Sequence, residues 1–69
     1  MNFSNNLKAL RKEKNITQKQ LATYLCLSRS TIAGYETKSH QPDFATLEKL
    51  AEYFQVSIDH LVIGEEKHT

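Results

Sequence analysis

A break of only two residues between two helical segments constrains this fold more than any other feature of the sequence. Residues 17–20 read Thr-Gln-Lys-Gln, the pattern of a capping box, in which the hydroxyl and the amide side chain satisfy each other's free backbone donors. A helix is therefore predicted to begin at Thr17, and Ser28 is a favoured N-cap for the next helix. Since residues 26–27 alone remain for the turn, the two helices must cross at a steep angle.

The rest of the chain is also helical in pattern. Proline and glycine occur only at Pro42, Gly34 and Gly64, and no stretch alternates with period two for long enough to form a strand. Asp43 and Ser57 are favoured N-caps for two further helices. The apolar residues predicted to face one core are Phe3, Leu7, Leu10, Leu21, Ala22, Leu25, Ile32, Tyr35, Leu47, Leu50, Ala51, Phe54, Ile58 and Leu61. The sequence predicts an all-α fold, a compact bundle of five short helices.

The length of 69 residues leaves room for one domain. A chain this short buries only about 60% of the surface that its unfolded form exposes, so its core is thin. We expect the domain to span residues 1–64, with the two-helix motif at residues 18–37 and a frayed tail at residues 65–69. The tail reads equally well as a natural end or as a cut linker to a longer protein.

The number of cysteines, the positions of the histidines and the hydropathy pattern each exclude further classes of protein. Cys26 is the single cysteine, which excludes an internal disulfide and a cysteine-based zinc site. We expect its thiol to be buried or half-buried, and inert. His40, His60 and His68 are too scattered for a metal site, so no metal and no cofactor is expected. Because no apolar run could span a bilayer and no secretory signal is present, we expect a cytoplasmic, nucleoid-associated protein without a membrane partner.

The formal net charge of +1 hides an asymmetry between the two halves of the chain. Residues 1–38 carry seven cationic and two acidic side chains, a net charge of +5. Residues 39–69 carry two cationic and six acidic side chains, a net charge of −4. A basic first half suits a polyanionic partner, and the acidic half would then face away from it. Two ordinary solvated faces explain the same charges equally well.

The second helix of the motif shows two different edges. Ile32 and Tyr35 anchor its inner side, while Ala22 and Leu27 let the preceding helix and the turn pack beneath it. The outer edge shows one long cation, one short hydroxyl and two residues too small to block close approach: Arg29, Ser30, Ala33 and Gly34. A helix that enters the major groove of DNA, about 12 Å wide, needs such a surface.

Motifs spread over residues 7–61 together resemble one family. They are LR at 10–11, TQKQLA at 17–22, LSRSTI at 27–32, YE at 35–36, QP at 41–42, TL at 46–47, KLA at 49–51 and VSID at 56–59. In this order and spacing they resemble the Xre/Cro-type helix-turn-helix family, the DNA-binding domain of phage and bacterial repressors. The resemblance implies a lambda-repressor-like fold and sequence-specific binding of double-stranded DNA.

The same resemblance implies a recognition helix that begins near Ser28. The residues that match base-contacting positions are Ser28, Arg29, Ser30, Ala33 and Gly34. Arg29 could fork onto a guanine, a contact worth roughly 1–3 kcal/mol of discrimination between base pairs. The alternatives are that Arg29 is a plain surface cation and that Ser28 is only an N-cap.

A second set of positions is implied to hold the DNA backbone. The matching residues are Thr17, Gln18, Lys19, Thr31, Lys38 and His40. Gln18 would lie at a helix N-terminus, where free backbone donors and the helix dipole favour a phosphate. Arg11 and Glu36 match positions that form an internal ion pair, which makes their role structural. The family usually has glycine in the turn where this chain has Cys26, and a left-handed backbone at a non-glycine residue costs about 1 kcal/mol.

These observations favour a binding protein over an enzyme. The sequence has no glycine-rich phosphate loop, no histidine beside a nucleophile and no paired carboxylates in an apolar setting, and no small-molecule ligand is evident. We expect a transcriptional regulator, a repressor that binds a palindromic operator as a homodimer. Val62 and Ile63 are expected in the dimer interface, because they follow the last helix without an inward partner. The alternative is a protein-interaction module on the same fold, such as an antitoxin or a regulator subunit.

Overall fold

Five helices form the part of the chain that the computed structural model describes, residues 3–37 and 41–64. They are α1 (Phe3–Glu13), α2 (Gln18–Leu25), α3 (Arg29–Thr37), α4 (Phe44–Phe54) and α5 (Ile58–Ile63). No strand occurs in these residues, which confirms the predicted all-α class and the number of helices. None of these helices combines the length and the apolar character that crossing a membrane would require. The predicted tail at 65–69 lies outside the described residues.

The helices α2 to α5 each follow a residue whose side chain replaces a missing backbone acceptor. At α2 the capping box is complete. The backbone N–H of Gln20 donates to Thr17 Oγ1 at 3.0 Å, and the backbone N–H of Thr17 donates to the side-chain Oε1 of Gln20 at 2.8 Å. Ser28 accepts from the Thr31 amide at 3.1 Å and caps α3 in the same way. Asp43 and Ser57 cap α4 and α5, so the predicted N-caps are confirmed.

Three residues with left-handed backbone end the helical segments. Asn15 after α1, Cys26 after α2 and Gln55 after α4 have φ angles of 63°, 60° and 58°. Asn tolerates this conformation, whereas cysteine and glutamine meet steric conflict between Cβ and the backbone. Cys26 is exposed, so the expectation of a buried or half-buried thiol is wrong. The next residue, Leu27, packs against the core instead and fills the space beneath the turn.

The core lies where α3 packs against α1 and α2, and where α5 packs against α1 and α4. Its fully buried side chains are Leu7, Leu21, Ile32, Leu50 and Leu61. Each of these residues was predicted from helical spacing, and three predicted core residues, Leu10, Tyr35 and Ile58, are half-buried against the cluster.

Two buried polar residues of α1 connect the helices that pack on it. The Asn6 amide donates to the Leu61 carbonyl of α5 at 2.9 Å, and the Ser4 hydroxyl donates to the Tyr35 carbonyl of α3. Both carbonyls lie near helix C-termini, where backbone acceptors lack intrahelical donors. These hydrogen bonds fix α1 against α3 and α5 at the cost of ordering two short side chains.

The end of α5 differs from the sequence expectation. Val62 and Ile63 form its last turn rather than following it. Val62 lies four residues after Ile58 on the same helix face, and both pack half-buried against the core. The expectation that Val62 lacks an inward partner is therefore wrong. Ile63 points away from this face and is 55% exposed.

Two side chains beside the loop before α4 have shifted pKa values. Hydrogen bonds from the Thr46 side chain and backbone amide hold the pKa of the Asp43 carboxyl below its ordinary value. Burial raises the pKa of the Tyr35 hydroxyl, and the negative charge of Asp43 raises it further. Both shifts keep each group in its usual form near neutral pH, with Asp43 charged and Tyr35 neutral.

Replacing Cys26 by glycine should stabilise the fold. The left-handed backbone is free of strain in glycine, and the lost side chain is exposed, so the free energy of unfolding should rise by about 1 kcal/mol. Thermal unfolding followed by circular dichroism measures this change as an increase in Tm of about 4–8 °C. Glu48→Gly, in the exposed middle of α4, is the matched control and should lower Tm. Equal losses in both variants would contradict the account of the turn.

Candidate nucleic-acid interface

The turn between α2 and α3 presents α3 at the surface. The Leu27 amide donates to the Ala22 carbonyl at 2.9 Å, which closes the end of α2, and α3 begins two residues later. Ala22 and Ile32 are buried on the two helices that meet here. Because α3 is anchored from one side only, its opposite edge is left free.

The side chains along the free edge of α3 are short, apart from one cation. Arg29 and Ser30 are exposed, and Ala33 and Gly34 are half-buried. A Cβ added at Gly34 would meet nothing within 4 Å, so the surface beyond this residue is open. The five residues expected to contact bases therefore lie along the first turns of one helix, with Ser28 as its cap.

An open groove of about 680 Å³ lies beside this edge, at the N-terminus of α2. Its lining residues are Arg11, Lys12, Asn15, Ile16, Thr17, Gln18, Lys19 and Arg29, which include four cations and no carboxylate. The backbone N–H groups of Gln18 and Lys19 belong to the first turn of α2, where no intrahelical carbonyl is available to them. Cationic side chains and free backbone donors in one groove suit an anion.

A buried ion pair supports the floor of this groove. Arg11 Nε donates to Glu36 Oε2 at 2.6 Å and Arg11 Nη2 donates to Glu36 Oε1 at 3.1 Å, a fork on one carboxylate. The Glu36 side chain is only 1% exposed. Arg11 Nη1 also donates to the Ile16 carbonyl at 2.8 Å, so α1, the loop before α2 and α3 are joined by one guanidinium. The ion pair implied by the family resemblance is thus present.

Gln18 connects this ion pair to the free edge of α3. Its Nε2 donates to Glu36 Oε1 at 3.1 Å, and its Oε1 accepts from Arg29 Nη1 at 2.9 Å. Sequence reasoning placed Gln18 and Arg29 in separate roles and missed the contact between them. The two residues are eleven positions apart, and only the steep crossing of α2 and α3 brings their side chains together.

The hydroxyl groups at the same end of the motif already make hydrogen bonds, either with each other or as part of a helix cap. Ser28 Oγ and Thr31 Oγ1 lie 2.9 Å apart, and Thr17 Oγ1 is the acceptor of the capping box. Each hydroxyl keeps further hydrogen-bonding capacity, since a hydroxyl has one donor and two acceptor sites. Lys38 and His40, two of the expected phosphate contacts, lie outside the described residues. Within the described residues no cluster of His, Cys, Asp and Glu could hold a metal ion.

Comparison with known proteins gives consistent matches across this region. A family model described as helix-turn-helix matches residues 7–61. The chain is 41% identical over 66 residues to the HTH-type transcriptional activator BcrR of Enterococcus faecalis, covering 96% of this chain and 32% of that protein. It is 38% identical over 66 residues to the immunity repressor protein of Bacillus phage phi105, covering 96% of this chain and 45% of that protein. The chain thus spans less than half the length of either relative.

A solved structure extends the likeness to three dimensions. The P22 c2 repressor protein, crystallised in complex with synthetic operator 9T, matches with a TM-score of 0.86 and 26% sequence identity. The match covers 94% of this chain and 98% of that chain. The five-helix arrangement is therefore that of a lambda/P22-repressor-like domain.

Removing one partner of the buried ion pair should destabilise the fold more than removing both. Glu36→Leu leaves the Arg11 guanidinium, 12% exposed, without its carboxylate, and should cost about 3–5 kcal/mol of unfolding free energy. The double variant Arg11→Met/Glu36→Leu leaves no buried charge unpaired and should recover part of that loss. Urea unfolding of the two single variants and the double variant measures the coupling. Strictly additive losses would show that the two side chains act independently.

Proposed function

Since the chain belongs to the Xre/Cro-like helix-turn-helix family of transcriptional regulators and phage repressors, we propose that it represses transcription by binding an operator as a symmetric dimer. The free edge of α3 enters the major groove, and the groove at the start of α2 holds the DNA backbone. The fold is a DNA-binding fold of this family, and the proposal adds which residues read the duplex and in what assembly.

One observation carries the proposal more than any other. An exposed arginine lies at the start of a helix edge on which the other side chains are small. Arg29 is exposed at the first position of α3, and space is open beyond Gly34. A guanidinium can donate two parallel hydrogen bonds to guanine O6 and N7, and short side chains allow the helix backbone to approach the base pairs. Ser30 lies beside Arg29 and supplies a second polar group to the same stretch of bases.

Lys12 and Lys19, the two lysines that line the groove at the start of α2, support a second contact, to phosphate. Lys19 is exposed at the second position of α2, beside the free backbone donors of the first turn. Phosphate contacts fix the register of a protein on the duplex, while base contacts supply the sequence preference. In this proposal the α2 groove therefore sets affinity and salt dependence, and α3 sets specificity.

The dimer follows from the small number of bases that one helix can read. A single recognition helix covers about four or five base pairs, and two helices placed one DNA turn apart double that number. Ile63 is 55% exposed on the last turn of α5, a helix that packs against α1 and α4. An exposed isoleucine beside the half-buried Val62 offers apolar surface to a second copy of the chain.

Selection from a random duplex DNA pool tests the proposal as a whole. The expected result is an enriched inverted repeat whose half-sites are about one helical turn apart. An unenriched pool at low salt would contradict it and would favour the alternative function, a protein-interaction module on the same fold. Placing the selected sequence between a promoter and a reporter then measures repression, and a rise in reporter output would contradict the assignment as a repressor.

Arg29→Ala should relax specificity at one base pair of each half-site. The selected duplex should lose about 1–3 kcal/mol of discrimination at that position, because a bidentate contact is removed. Lys19→Ala is the matched control: it should weaken binding to all duplexes alike and lower the salt slope by about one unit. Competition binding against duplexes with single base-pair changes separates the two effects. A uniform loss of affinity in Arg29→Ala would contradict its role as a base reader.

Ile63→Asp should weaken the dimer. A carboxylate at the centre of an apolar contact must be desolvated, so the variant should sediment as a monomer at concentrations where the parent chain is a dimer. Tyr24→Asp, which changes an exposed aromatic side chain of α2, is the control and should leave the sedimentation coefficient unchanged. A parent chain that is monomeric with and without DNA would contradict the dimer.

A further inference from the structure

Two hydroxyl groups at the start of α3 share a hydrogen bond whose direction the fold leaves open. Ser28 Oγ and Thr31 Oγ1 lie 2.9 Å apart, and either oxygen can be the donor. Ser28 Oγ also accepts from the backbone N–H of Thr31 at 3.1 Å, which caps the helix. Ser28 is exposed and Thr31 is half-buried beside it. The pair therefore keeps hydrogen-bonding capacity for a partner outside the protein.

The number of hydrogens and lone pairs permits two arrangements of this pair. A hydroxyl has one hydrogen to donate and two lone pairs that accept, and the helix cap occupies one lone pair of Ser28. If Ser28 donates to Thr31, Ser28 has one lone pair left and Thr31 keeps its hydrogen. If Thr31 donates to Ser28, both lone pairs of Ser28 are occupied and only its hydrogen is left. Ser28 thus presents an acceptor in the first arrangement and a donor in the second.

A DNA phosphate at Thr31 would select the first arrangement. The phosphate oxygens of a duplex accept hydrogen bonds and have no hydrogen to donate, so this contact requires the hydrogen of Thr31. Ser28 must then donate to Thr31, which leaves a lone pair facing outward. In the major groove the amino groups of adenine and cytosine donate, whereas guanine O6 and thymine O4 accept. A lone pair on Ser28 attracts the amino groups and repels the keto oxygens.

We propose that Thr31 sets the hydrogen-bond direction of Ser28, so that Ser28 selects an amino base, adenine or cytosine, over a keto base, guanine or thymine. Thr31 is a positioning residue for this contact and does not touch the base. The inference rests on the proposed function, because it needs α3 in the major groove and Thr31 against the DNA backbone. It adds to the Arg29 contact a preference for a chemical class of base rather than for one base.

Ser28→Gly identifies the base pair that Ser28 reads. Glycine is tolerated at the N-cap of a helix, so this variant loses the hydroxyl at little cost in stability. Competition binding with all four bases at each position of the selected duplex should show one position at which the parent chain prefers amino over keto bases about fivefold and Ser28→Gly does not. Ser30→Ala removes another exposed hydroxyl from α3 and should keep this preference. A keto preference of the parent chain at this position, or unchanged preferences throughout in Ser28→Gly, would overturn the inference.

Thr31→Val separates positioning from a phosphate contact. Valine keeps the shape of the side chain and removes the hydroxyl, so the Ser28 hydroxyl is free to turn and can meet either class of base. The amino preference should disappear, together with a loss of affinity for every duplex, while Thr31→Ser should keep both. If Thr31→Val binds every duplex more weakly and retains the amino preference, the inference is wrong and Thr31 is a phosphate contact alone.

An acceptor without a hydrogen at position 28 should remove the need for Thr31. Aspartate is a favoured N-cap, and its carboxylate can accept from the amino group of cytosine. In Ser28→Asp/Thr31→Val the amino preference should therefore return, although the added negative charge lowers the affinity for all duplexes. A double variant that discriminates as poorly as Thr31→Val alone would contradict the assigned direction of the hydrogen bond.

Two controls keep these results separate from misfolding and from failure of the proposed function. Thermal unfolding establishes that each variant is folded, and Thr31→Ala, with its higher helix propensity, serves in place of Thr31→Val should the latter not fold. A parent chain without any base preference would overturn the proposed function and the inference together. A parent chain that selects a guanine through Arg29 and nowhere distinguishes amino from keto bases would overturn the inference alone.

Discussion

The ion pair between Arg11 and Glu36 is the interaction on which the rest of the molecule depends. A carboxylate that is 1% exposed is very costly unless its hydrogen-bonding sites are filled, and Arg11 fills them with a forked pair of N–H groups. Because the same guanidinium also binds the Ile16 carbonyl, the pair fixes the end of α1, the entry to α2 and the last turns of α3. In a domain with so thin a core, a directional contact of this kind decides how three short helices are arranged.

The surface of the motif follows from that arrangement. With Ile32 and Glu36 buried on its inner side, α3 has no freedom to rotate, so its small outer residues must face solvent. The steep crossing that exposes this edge also brings the start of α2 beside Arg29, and with it a groove of cations and free backbone donors. The proposed base-reading and phosphate-binding surfaces are therefore adjacent because one buried carboxylate holds both helices.

Local signals in the sequence predict the helices and the core, while contacts between residues distant in the chain are harder to predict. The N-caps at Thr17, Ser28, Asp43 and Ser57 and the period of the apolar residues depend only on neighbours along the chain, and these predictions are confirmed. The prediction of the Arg11–Glu36 ion pair rests on resemblance to a family rather than on residue spacing.

The errors and omissions have one physical origin, the crossing geometry of helices. The link from Gln18 to Arg29 requires knowing where α2 and α3 approach, and periodicity does not contain that information. Val62 was expected to lack an inward partner because the last turn of α5 is too short for its face to be recognised in the sequence. Cys26 is exposed because the left-handed cap leaves the space beneath the turn to Leu27.

Methylation interference on the selected duplex tests most directly whether α3 reads DNA through the major groove. Guanine N7 lies in the major groove and adenine N3 in the minor groove, so methyl groups at these atoms report the two grooves separately. The account predicts that N7 methylation at one guanine of each half-site abolishes binding by the parent chain and has a smaller effect on Arg29→Ala. Interference confined to adenine N3, with N7 methylation tolerated throughout, would contradict it.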